Sequence, residues 1–349
     1  MNLFVNSPAR FVRQALGSLA FAAAAVGCGS SDNLSPTAEA PAPLDPTAPL
    51  DSTAAPTDTL VPSSDSTFPD TAGLGPTNLA FPGIAFGPAG MRAHYYNSTY
   101  RATKQGIEPR FFMEELRIAK SKGGRLIVQM AAKGDYRMQN ADGTFSYAKW
   151  KALVDGFKAY NFNSYITDGT LMGHVLVDEP ENVRKWGGKQ IPHSTVEAMA
   201  KYSKQLWPNL TTFVRAPPIW LAKSSITYTY LDAGWVQYRW QKGNASTWIK
   251  NEAAAAKTKR IGLMAGMNVL DGGDGSSKIR GTLSNRWAMS AAEIKTYGTA
   301  ILAEPYACGF IFWTHLYWGA DYFNRTAVKS SITTLSNLAR NHVQTSCRQ

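Results

Sequence analysis

The stretch GHVLVDEPEN, residues 173–182, sets a short apolar run directly before a cluster of acidic residues and a proline. A continuous apolar run of this length is typical of a parallel strand that is covered on both faces. Pro180 cannot donate a hydrogen bond to a sheet, and it predicts an extended backbone at Glu179, so the strand ends here. The stretch therefore predicts a buried parallel strand that holds Asp178 and Glu179 at its carboxyl end.

Short apolar runs of the same kind recur from Leu79 onward, and amphipathic stretches separate them. This alternation is typical of α/β proteins. An eighth strand is expected within residues 91–108 or near 160–168. We therefore predict one (β/α)8 TIM-barrel-like domain over residues 79–349, with a doubly wound open sheet as the alternative. The seven strands that the pattern identifies directly are Gly83–Phe86, Arg125–Met130, Gly173–Val177, Thr212–Arg215, Gly234–Tyr238, Gly262–Val269 and Gly309–Trp313.

Helices are predicted between these strands. Two of them carry capping boxes, in which a Ser oxygen and the carboxylate of a Glu three residues later accept hydrogen bonds from backbone N–H groups at the helix start. The boxes are Ser194–Glu197 and Ser290–Glu293, and further helices are expected at about 109–122, 146–160, 244–258 and 326–342.

The first 27 residues have the layout of a secretory signal peptide. They combine two basic residues and no acid with an apolar run that is too short to cross a hydrocarbon core of about 30 Å. The segment ends in Ala25-Val-Gly-Cys28, which resembles the lipobox of bacterial lipoproteins and implies acylation of the Cys28 thiol. An ordinary secretory signal followed by an unrelated cysteine is the alternative.

Residues 29–78 contain seven acidic residues, no Lys or Arg, and otherwise mainly Ser, Thr, Pro and Ala. Such a segment cannot bury enough apolar surface to offset the entropy lost on ordering, so residues 28–78 are predicted to be a disordered tether. Gly29 stands where, by resemblance to enteric bacteria, an Asp would retain a lipoprotein in the inner membrane. We expect an exported protein that is lipid-anchored in the bacterial cell envelope, at the outer membrane or cell surface, and contacts the membrane through its lipid only.

The globular part of the chain is basic. Residues 79–349 carry 34 basic and 18 acidic side chains, a net charge of about +16. A positive surface attracts anionic partners such as acidic polysaccharide, lipopolysaccharide or phospholipid headgroups. A basic surface that only keeps the protein soluble or near the membrane is the alternative, and the expected compartment disfavours nucleic acid.

Two cysteines remain once Cys28 is set aside, an even number for an oxidising compartment. Cys308 begins the last predicted strand and Cys347 follows the last predicted helix. In a barrel that helix runs antiparallel to the strand, so both residues reach the same end. The geometry predicts a disulfide between them that stabilises the fold by roughly 3 kcal/mol, and two free thiols are the alternative.

The Asp178-Glu179-Pro180 sequence resembles the TIM-barrel glycoside hydrolases, in particular the large retaining clan whose fourth strand ends in Asn-Glu, often followed by Pro. The resemblance implies that Glu179 is the acid/base. Asp178 departs from the clan, because it cannot donate the hydrogen bond that the Asn amide gives to the sugar 2-hydroxyl.

Glycoside cleavage needs a second carboxylate. The clan keeps its nucleophile, a Glu, at the end of the penultimate strand, where this chain offers Asp271 or Asp274 instead. An inverting mechanism and a pairing of Asp178 with Glu179 remain open. The competing interpretation of residues 271–275 is a turn-rich loop that holds at most a cation.

Other polar and aromatic residues follow the strand ends, where barrel enzymes place their functional groups. Arg215 ends an otherwise apolar strand and requires a carboxylate partner or an anionic ligand. Pairing with Asp178 or Glu179 is expected to lower the pKa of that acid and leave its neighbour as the proton donor. The aromatic rings stack on sugars or, alternatively, pack in the core. The predicted sugar-binding residues are Gln129, Arg215, Gln237, Tyr238, Asn268, Trp313, His315, Tyr317, Trp318 and Asp321.

These features predict a cell-envelope glycoside hydrolase that cleaves a neutral or anionic oligo- or polysaccharide with two carboxylates and no cofactor or metal. The alternative is a non-catalytic carbohydrate-binding lipoprotein on a degenerate barrel. A metal-dependent phosphodiesterase fits poorly, because the chain has five histidines and none has the spacing of a ligand pair. His174 lies within a predicted strand and is expected in the core, and no GxSxG sequence supports a serine hydrolase.

Overall fold

The structure, a computed structural model, describes residues 82–132, 134–343 and 345–348. Its strands are β1 (Ala85–Pro88), β2 (Ala102–Gly106), β3 (Arg125–Gln129), β4 (Leu171–Asp178), β5 (Thr212–Arg215), β6 (Ala233–Trp235), β7 (Gly262–Ala265) and β8 (Ala307–Phe312). All neighbouring pairs are parallel, and the sheet order is β1-β8-β7-β6-β5-β4-β3-β2. The two end strands also meet, since Gly90 N donates to Lys104 O at 2.7 Å. The sheet therefore forms a nearly closed barrel, which confirms the predicted fold class.

Helices connect the strands on the outside of the barrel. They are α1 (Pro109–Ser121), α2 (Tyr147–Asp155), α3 (Asn163–Thr167), α4 (His193–Leu206), α5 (Pro218–Ala222), α6 (Ala245–Lys259), α7 (Ala291–Leu302), α8 (Gly319–Asn324) and α9 (Thr326–Arg340). Short 3-10 turns occur at Ala93–Tyr95, Asp135–Met138 and Trp240–Lys242.

Strand residues alternate between two buried cores. Leu126 and Val128 of β3 belong to the outer core with helix residues such as Phe112, whereas Ile127 between them belongs to the inner core with Val175. Because side chains fill the centre of the barrel, a ligand is expected at one of its ends rather than in a through-channel.

The eighth strand is β2, which lies within the interval 91–108 where it was expected. Its sequence, ATKQG, lacks an apolar run because two of its buried side chains are polar. Thr103 Oγ1 donates to Pro88 O at 2.7 Å, and Gln105 Nε2 donates to Glu115 Oε1 at 2.7 Å. These hydrogen bonds satisfy the polar groups and let a polar sequence occupy a buried strand.

One of the two predicted capping boxes is present. Ser290 caps α7 with Glu293 as expected, but α4 begins at His193, so Ser194 lies inside the helix. Glu197 accepts hydrogen bonds from the backbone N–H groups of the loop 229–231 at 2.8 to 3.1 Å instead. The Glu197 carboxylate therefore makes a tertiary contact with this loop and does not cap its own helix.

His174 lies in the core, as expected. It is fully buried in β4, its Nδ1 lies 3.0 Å from Ser203 Oγ, and burial lowers its pKa to about 3. The ring is therefore a neutral packing element at physiological pH.

The predicted disulfide joins Cys308 at the start of β8 to Cys347, with their Cα atoms 5.1 Å apart. Cys347 also packs against Gly262 at the start of β7, where a Cβ would lie 2.7 Å from the carbonyl oxygen of Cys347. The bond fastens the chain end to the amino end of the barrel.

We expect replacement of both cysteines by alanine to lower the free energy of unfolding by about 3 to 4 kcal/mol, because the bond closes a loop between residues 39 positions apart. Guanidinium unfolding followed by tryptophan fluorescence measures this loss. The wild type in reductant is the control and should unfold at the same denaturant concentration as the double variant. An unchanged unfolding midpoint would show that the loop constraint contributes nothing.

The predicted signal peptide, Cys28 and the whole predicted tether lie outside the described residues. Within residues 82–132, 134–343 and 345–348, no helix has the length and apolarity that crossing a membrane requires.

Candidate active site

A cavity of about 280 Å³ opens at the carboxyl end of the barrel. Residues that end or follow β4 to β8 form its walls, and this is the face where TIM barrels place functional groups. The sequence-predicted residues that line it are Asp178, Glu179, Arg215, Gln237, Asn268, Asp271, Trp313 and Tyr317.

Arg215 ends β5 directly opposite Asp178 of β4. Its Nε donates to Asp178 Oδ1, and its Nη2 lies 2.7 Å from Glu179 Oε1. Burial alone would lower the pKa of Arg215, but the two carboxylates outweigh burial and raise that pKa above its ordinary value. The arginine for which one acidic partner was expected therefore binds both acids.

Asp178 is held by a second cation. Lys185 Nζ lies 2.7 Å from the Asp178 carboxylate and 3.0 Å from that of Asp135. Burial alone would raise the pKa of Asp178, but the charges of Arg215, Lys185 and Lys104 outweigh it and hold that pKa well below its ordinary value. Asp178 is therefore an ionised anchor for cations and is unsuited to donating a proton.

Gln129 lies beside this network and is not a lining residue of the cavity. Its Oε1 accepts a hydrogen bond from Lys104 Nζ at 2.5 Å, and its Nε2 donates to Ala131 O at 3.3 Å. Burial lowers the pKa of Lys104 to about 8. The structure therefore places Gln129 as a partner of a buried lysine rather than in contact with a ligand.

The backbone of Glu179 is left-handed, with φ of +51°, and not extended as the following proline predicts. Its N–H donates to Arg215 O at 2.9 Å, and its carbonyl oxygen accepts from Trp186 Nε1 at 2.9 Å. A non-glycine residue in this region is strained by about 1 to 3 kcal/mol, and such strain persists only where surrounding contacts fix it. Glu179 is thereby held with its carboxylate against Arg215.

Glu181 also lines the cavity, although the sequence does not single it out. Its Oε2 is buried and has no hydrogen-bond partner among the described residues. Burial raises the pKa of Glu181 to about 7, and the positive charge of Arg215 does not offset this rise. The sequence shows Glu181 only as the third acidic residue of DEPEN. Its burial could be recognised only from the fold.

Asp271 and Asp274, the candidates after β7, have different surroundings. The buried Asp271 lines the cavity, but Thr282 Oγ1 and Leu283 N, the latter at 2.9 Å, donate to its two oxygens. Asp274 is exposed and accepts from Ser276 N at 2.7 Å in a surface turn outside the cavity lining. Asp271 thus braces the loop 271–283, and Asp274 is not placed to join the other carboxylates.

Trp313 and Tyr317 line the cavity, and Tyr317 is 72% exposed. β8 ends at Phe312, so the predicted sugar-binding residues between 313 and 318 lie in the loop after the strand. His315 lies near Tyr95 instead, with ring centroids 5.3 Å apart. The loop geometry rather than a strand therefore presents the two aromatic rings.

Two further predicted aromatic residues point elsewhere. Tyr238 is buried, and its ring packs against that of Trp248 with centroids 5.2 Å apart. Trp318 packs edge-on against Tyr322 with centroids 5.5 Å apart. Both contacts are typical of packing rather than of a ligand platform.

Polar groups at the base of the cavity are incompletely paired. Gln237 Nε2 is buried without a hydrogen-bond partner among the described residues. Asn268 Oδ1 accepts from Asp271 N at 3.1 Å. Asp321 is exposed in the first turn of α8 and is not part of the lining. An unpaired buried amide is costly unless a ligand or water binds it, so Gln237 indicates a polar ligand.

No group of three His, Cys, Asp or Glu side chains in the described part of the chain is arranged to hold a metal ion. Asp178 and Glu179 bind Arg215 instead, and Asp178 also binds Lys185.

No protein-family model and no curated protein sequence matches the chain. Similar solved structures include a GH113 β-1,4-mannanase, with 10% identity and a TM-score of 0.48, covering 73% of this chain and 99% of that one. An intracellular xylanase from Thermoanaerobacterium saccharolyticum has 13% identity and a TM-score of 0.45, covering 66% and 86%. A fungal β-1,4-galactanase has 10% identity and a TM-score of 0.47, covering 69% and 88%. At such identities the likeness concerns the backbone.

Proposed function

We propose that this chain hydrolyses O-glycosidic bonds of a polysaccharide in the cavity at the carboxyl end of its barrel. Glu181 donates a proton to the leaving oxygen, and Glu179 supplies the ionised carboxylate that attacks the sugar or activates water. The proton donor is thus revised from Glu179 to Glu181. The proposal depends on one observation: the Glu179 carboxylate is ion-paired with Arg215, whereas Oε2 of Glu181 in the same cavity is buried without a hydrogen-bond partner among the described residues.

The environments of these two acids separate their roles. Glu179 is bound by Arg215, whereas burial raises the pKa of Glu181 to about 7, so Glu181 keeps its proton near neutral pH. Glycosidases require one protonated and one ionised carboxyl group. Neighbouring acids whose surroundings favour opposite protonation states mark an acid and its partner in known enzymes.

The walls of the cavity suit a sugar. Gln237 offers an unpaired amide donor, and the ring faces of Trp313 and Tyr317 suit the apolar faces of a pyranose. Exposed aromatic rings also follow two other strands, with Tyr136 71% and Trp240 43% exposed in the loops after β3 and β6. Rings spread over several loops of one face support binding of a chain of sugars rather than a single unit.

Release of reducing ends from neutral and acidic polysaccharides tests the proposal. We expect the full-length protein to release them from at least one polysaccharide, and Glu179→Gln to abolish this release. Asp274→Asn is the matched control, because its exposed carboxylate lies outside the cavity, and it should retain wild-type rates. If Asp271→Asn abolishes release and Glu179→Gln does not, the second carboxylate is Asp271. Glycan binding without any release would support the non-catalytic alternative.

We also propose, on the sequence alone, that the mature chain is anchored to the cell envelope through Cys28. In a bacterial host, the wild type is expected in the membrane fraction with a diacylglyceryl mass on its N-terminal peptide. Cys28→Ser should shift the protein to the soluble fraction. An unmodified mature N-terminus in the wild type would refute the anchor and leave an ordinary secreted protein.

A further inference from the structure

Two cations line the cavity without a direct ion pair among the described residues. Arg239 and Lys242 both face it, and no hydrogen bond or ion pair to either side chain is present among the described residues. Arg215 in the same cavity differs, because it binds two carboxylates. The cavity therefore contains two cationic side chains that none of its acids binds directly.

Arg239 is the more informative of the two. It is partly buried, and burial together with the neighbouring charge of Arg286 lowers its pKa, although Glu179 and Asp271 act in the opposite sense. Removing a guanidinium from water without a paired anion is unfavourable. A bound anion would offset this cost, which makes the position a site for a negatively charged group.

The local structure holds Arg239 in place, whereas the side chain of Lys242 is exposed on the same turn. Arg239 precedes the 3-10 turn Trp240–Lys242, and Trp240 N donates to Gly272 O at 2.9 Å, which ties the turn to the loop after β7. A Cβ at Gly272 would lie 3.2 Å from Arg239 Cγ, so the arginine stem packs closely on this glycine. A guanidinium held in this way binds planar anions with two parallel hydrogen bonds.

Resting on the proposed function, we infer that the polysaccharide substrate carries acidic substituents, and that Arg239 and Lys242 bind one of them beside the reacting bond. A uronate carboxylate and a sulfate ester share the chemistry that these side chains recognise. Arg239 lines the same cavity as Glu179 and Asp271, so a group that it binds lies within this cavity. The subsite would select charged sugar units over neutral ones.

Calorimetric binding to the full-length Glu181→Gln variant tests the inference without interference from hydrolysis. The probes are oligogalacturonate and its methyl ester, which differ only in charge, and dextran sulfate and dextran. We expect at least one charged probe to bind about tenfold or more tightly than its neutral counterpart, since hydrogen bonds to charged groups are strong. The probe pair that shows the preference identifies carboxylate or sulfate.

Adding Arg239→Gln to the Glu181→Gln variant should weaken binding of the charged probe by about tenfold and leave the affinity for the neutral probe unchanged. Lys242→Gln should act in the same direction with a smaller effect. Lys250→Gln on the exposed side of α6 is the matched control, because it removes one charge outside the cavity lining and should change nothing. Equal affinity for charged and neutral probes, or a preference that survives loss of both Arg239 and Lys242, would overturn the inference.

The two proposals fail separately. Binding of a charged probe through Arg239, with no reducing ends released from any glycan, would refute the proposed hydrolysis. The inferred subsite for acidic substituents would remain. Hydrolysis of an acidic polysaccharide that is no faster than that of its neutral counterpart, and that Arg239→Gln does not slow, would support the hydrolase and refute the subsite.

Discussion

Glu181→Gln is expected to lower kcat for a polysaccharide by about a thousandfold, with KM within a few-fold of the wild type. Glutamine keeps the size of the side chain but has no acidic proton, so the leaving oxygen departs as an alkoxide. Initial rates of reducing-end release measure the loss. Circular dichroism of the variant should match the wild type, because Oε2 has no hydrogen-bond partner to lose among the described residues.

The dependence on leaving group separates proton donation from a structural effect. An aryl glycoside with a dinitrophenolate leaving group needs no protonation, so Glu181→Gln should cut its turnover by less than about tenfold. The matched variant Glu179→Gln should lose turnover of both substrates, since the ionised carboxylate acts on the sugar itself. Equal losses on both substrates in Glu181→Gln would contradict its role as the acid.

The pH profile gives a second test of the same residue. Burial raises the pKa of Glu181 to about 7, so wild-type hydrolysis should decline as the pH rises through about 7. The residual activity of Glu181→Gln should lack this decline. A wild-type profile that is flat from pH 6 to 9 would place the proton donor elsewhere.

Stability should follow the same titration. The folded-state pKa of Glu181 is raised above its unfolded value, so its contribution to stability is complete below about pH 4.5 and is lost as the pH rises through about 7. Glu181→Gln should therefore be less sensitive than the wild type to a change from pH 5 to pH 8. Denaturant unfolding at the two pH values measures the difference.

The barrel could be predicted because most of its strands are apolar runs of the right length. Thr212–Arg215 was predicted with the bounds of β5, and Gly173–Val177 lies within β4. Strand β2 could not be identified from its sequence, because its buried Thr103 and Gln105 form hydrogen bonds with residues outside the strand. Hydrophobic periodicity cannot detect a buried strand whose polar groups are satisfied by tertiary contacts.

The sequence predicted the site residues whose position follows from the strand ends. It missed the residues whose role depends on burial and on contacts with distant parts of the chain. Asp178 and Arg215 are neighbours because their strands pair, and an arginine in an apolar strand already indicates a carboxylate partner. The importance of Glu181 and Arg239 comes from burial and from the lack of partners, which no local pattern encodes. Tyr238 was assigned to a ligand because the strand was predicted to end at this residue, whereas β6 ends at Trp235.

Arg215→Met is expected to lower the free energy of unfolding by about 3 kcal/mol or more at pH 8, because it leaves Asp178 and Glu179 without their shared cation. Lys185 still compensates Asp178 in part. The destabilisation should shrink towards pH 5, since protonation relieves carboxylates that have lost their partner. In the wild type, the lowered pKa of Asp178 contributes stability above about pH 4 that disappears only as the pH falls towards that pKa.

Arg239→Met is the matched control for this prediction, because it removes an arginine from the same cavity that has no acidic partner among the described residues. The free energy of unfolding of Arg239→Met should equal or exceed that of the wild type, since the variant removes a partly buried guanidinium that has no ion pair. Arg215→Lys should fall between wild type and Arg215→Met, because an ammonium keeps the charge but cannot bridge two carboxylates with a fixed geometry. Equal destabilisation by Arg215→Met and Arg239→Met would show that the ion pairs at Arg215 do not hold the carboxylates in place, and the ionised role of Glu179 would then lose its physical basis.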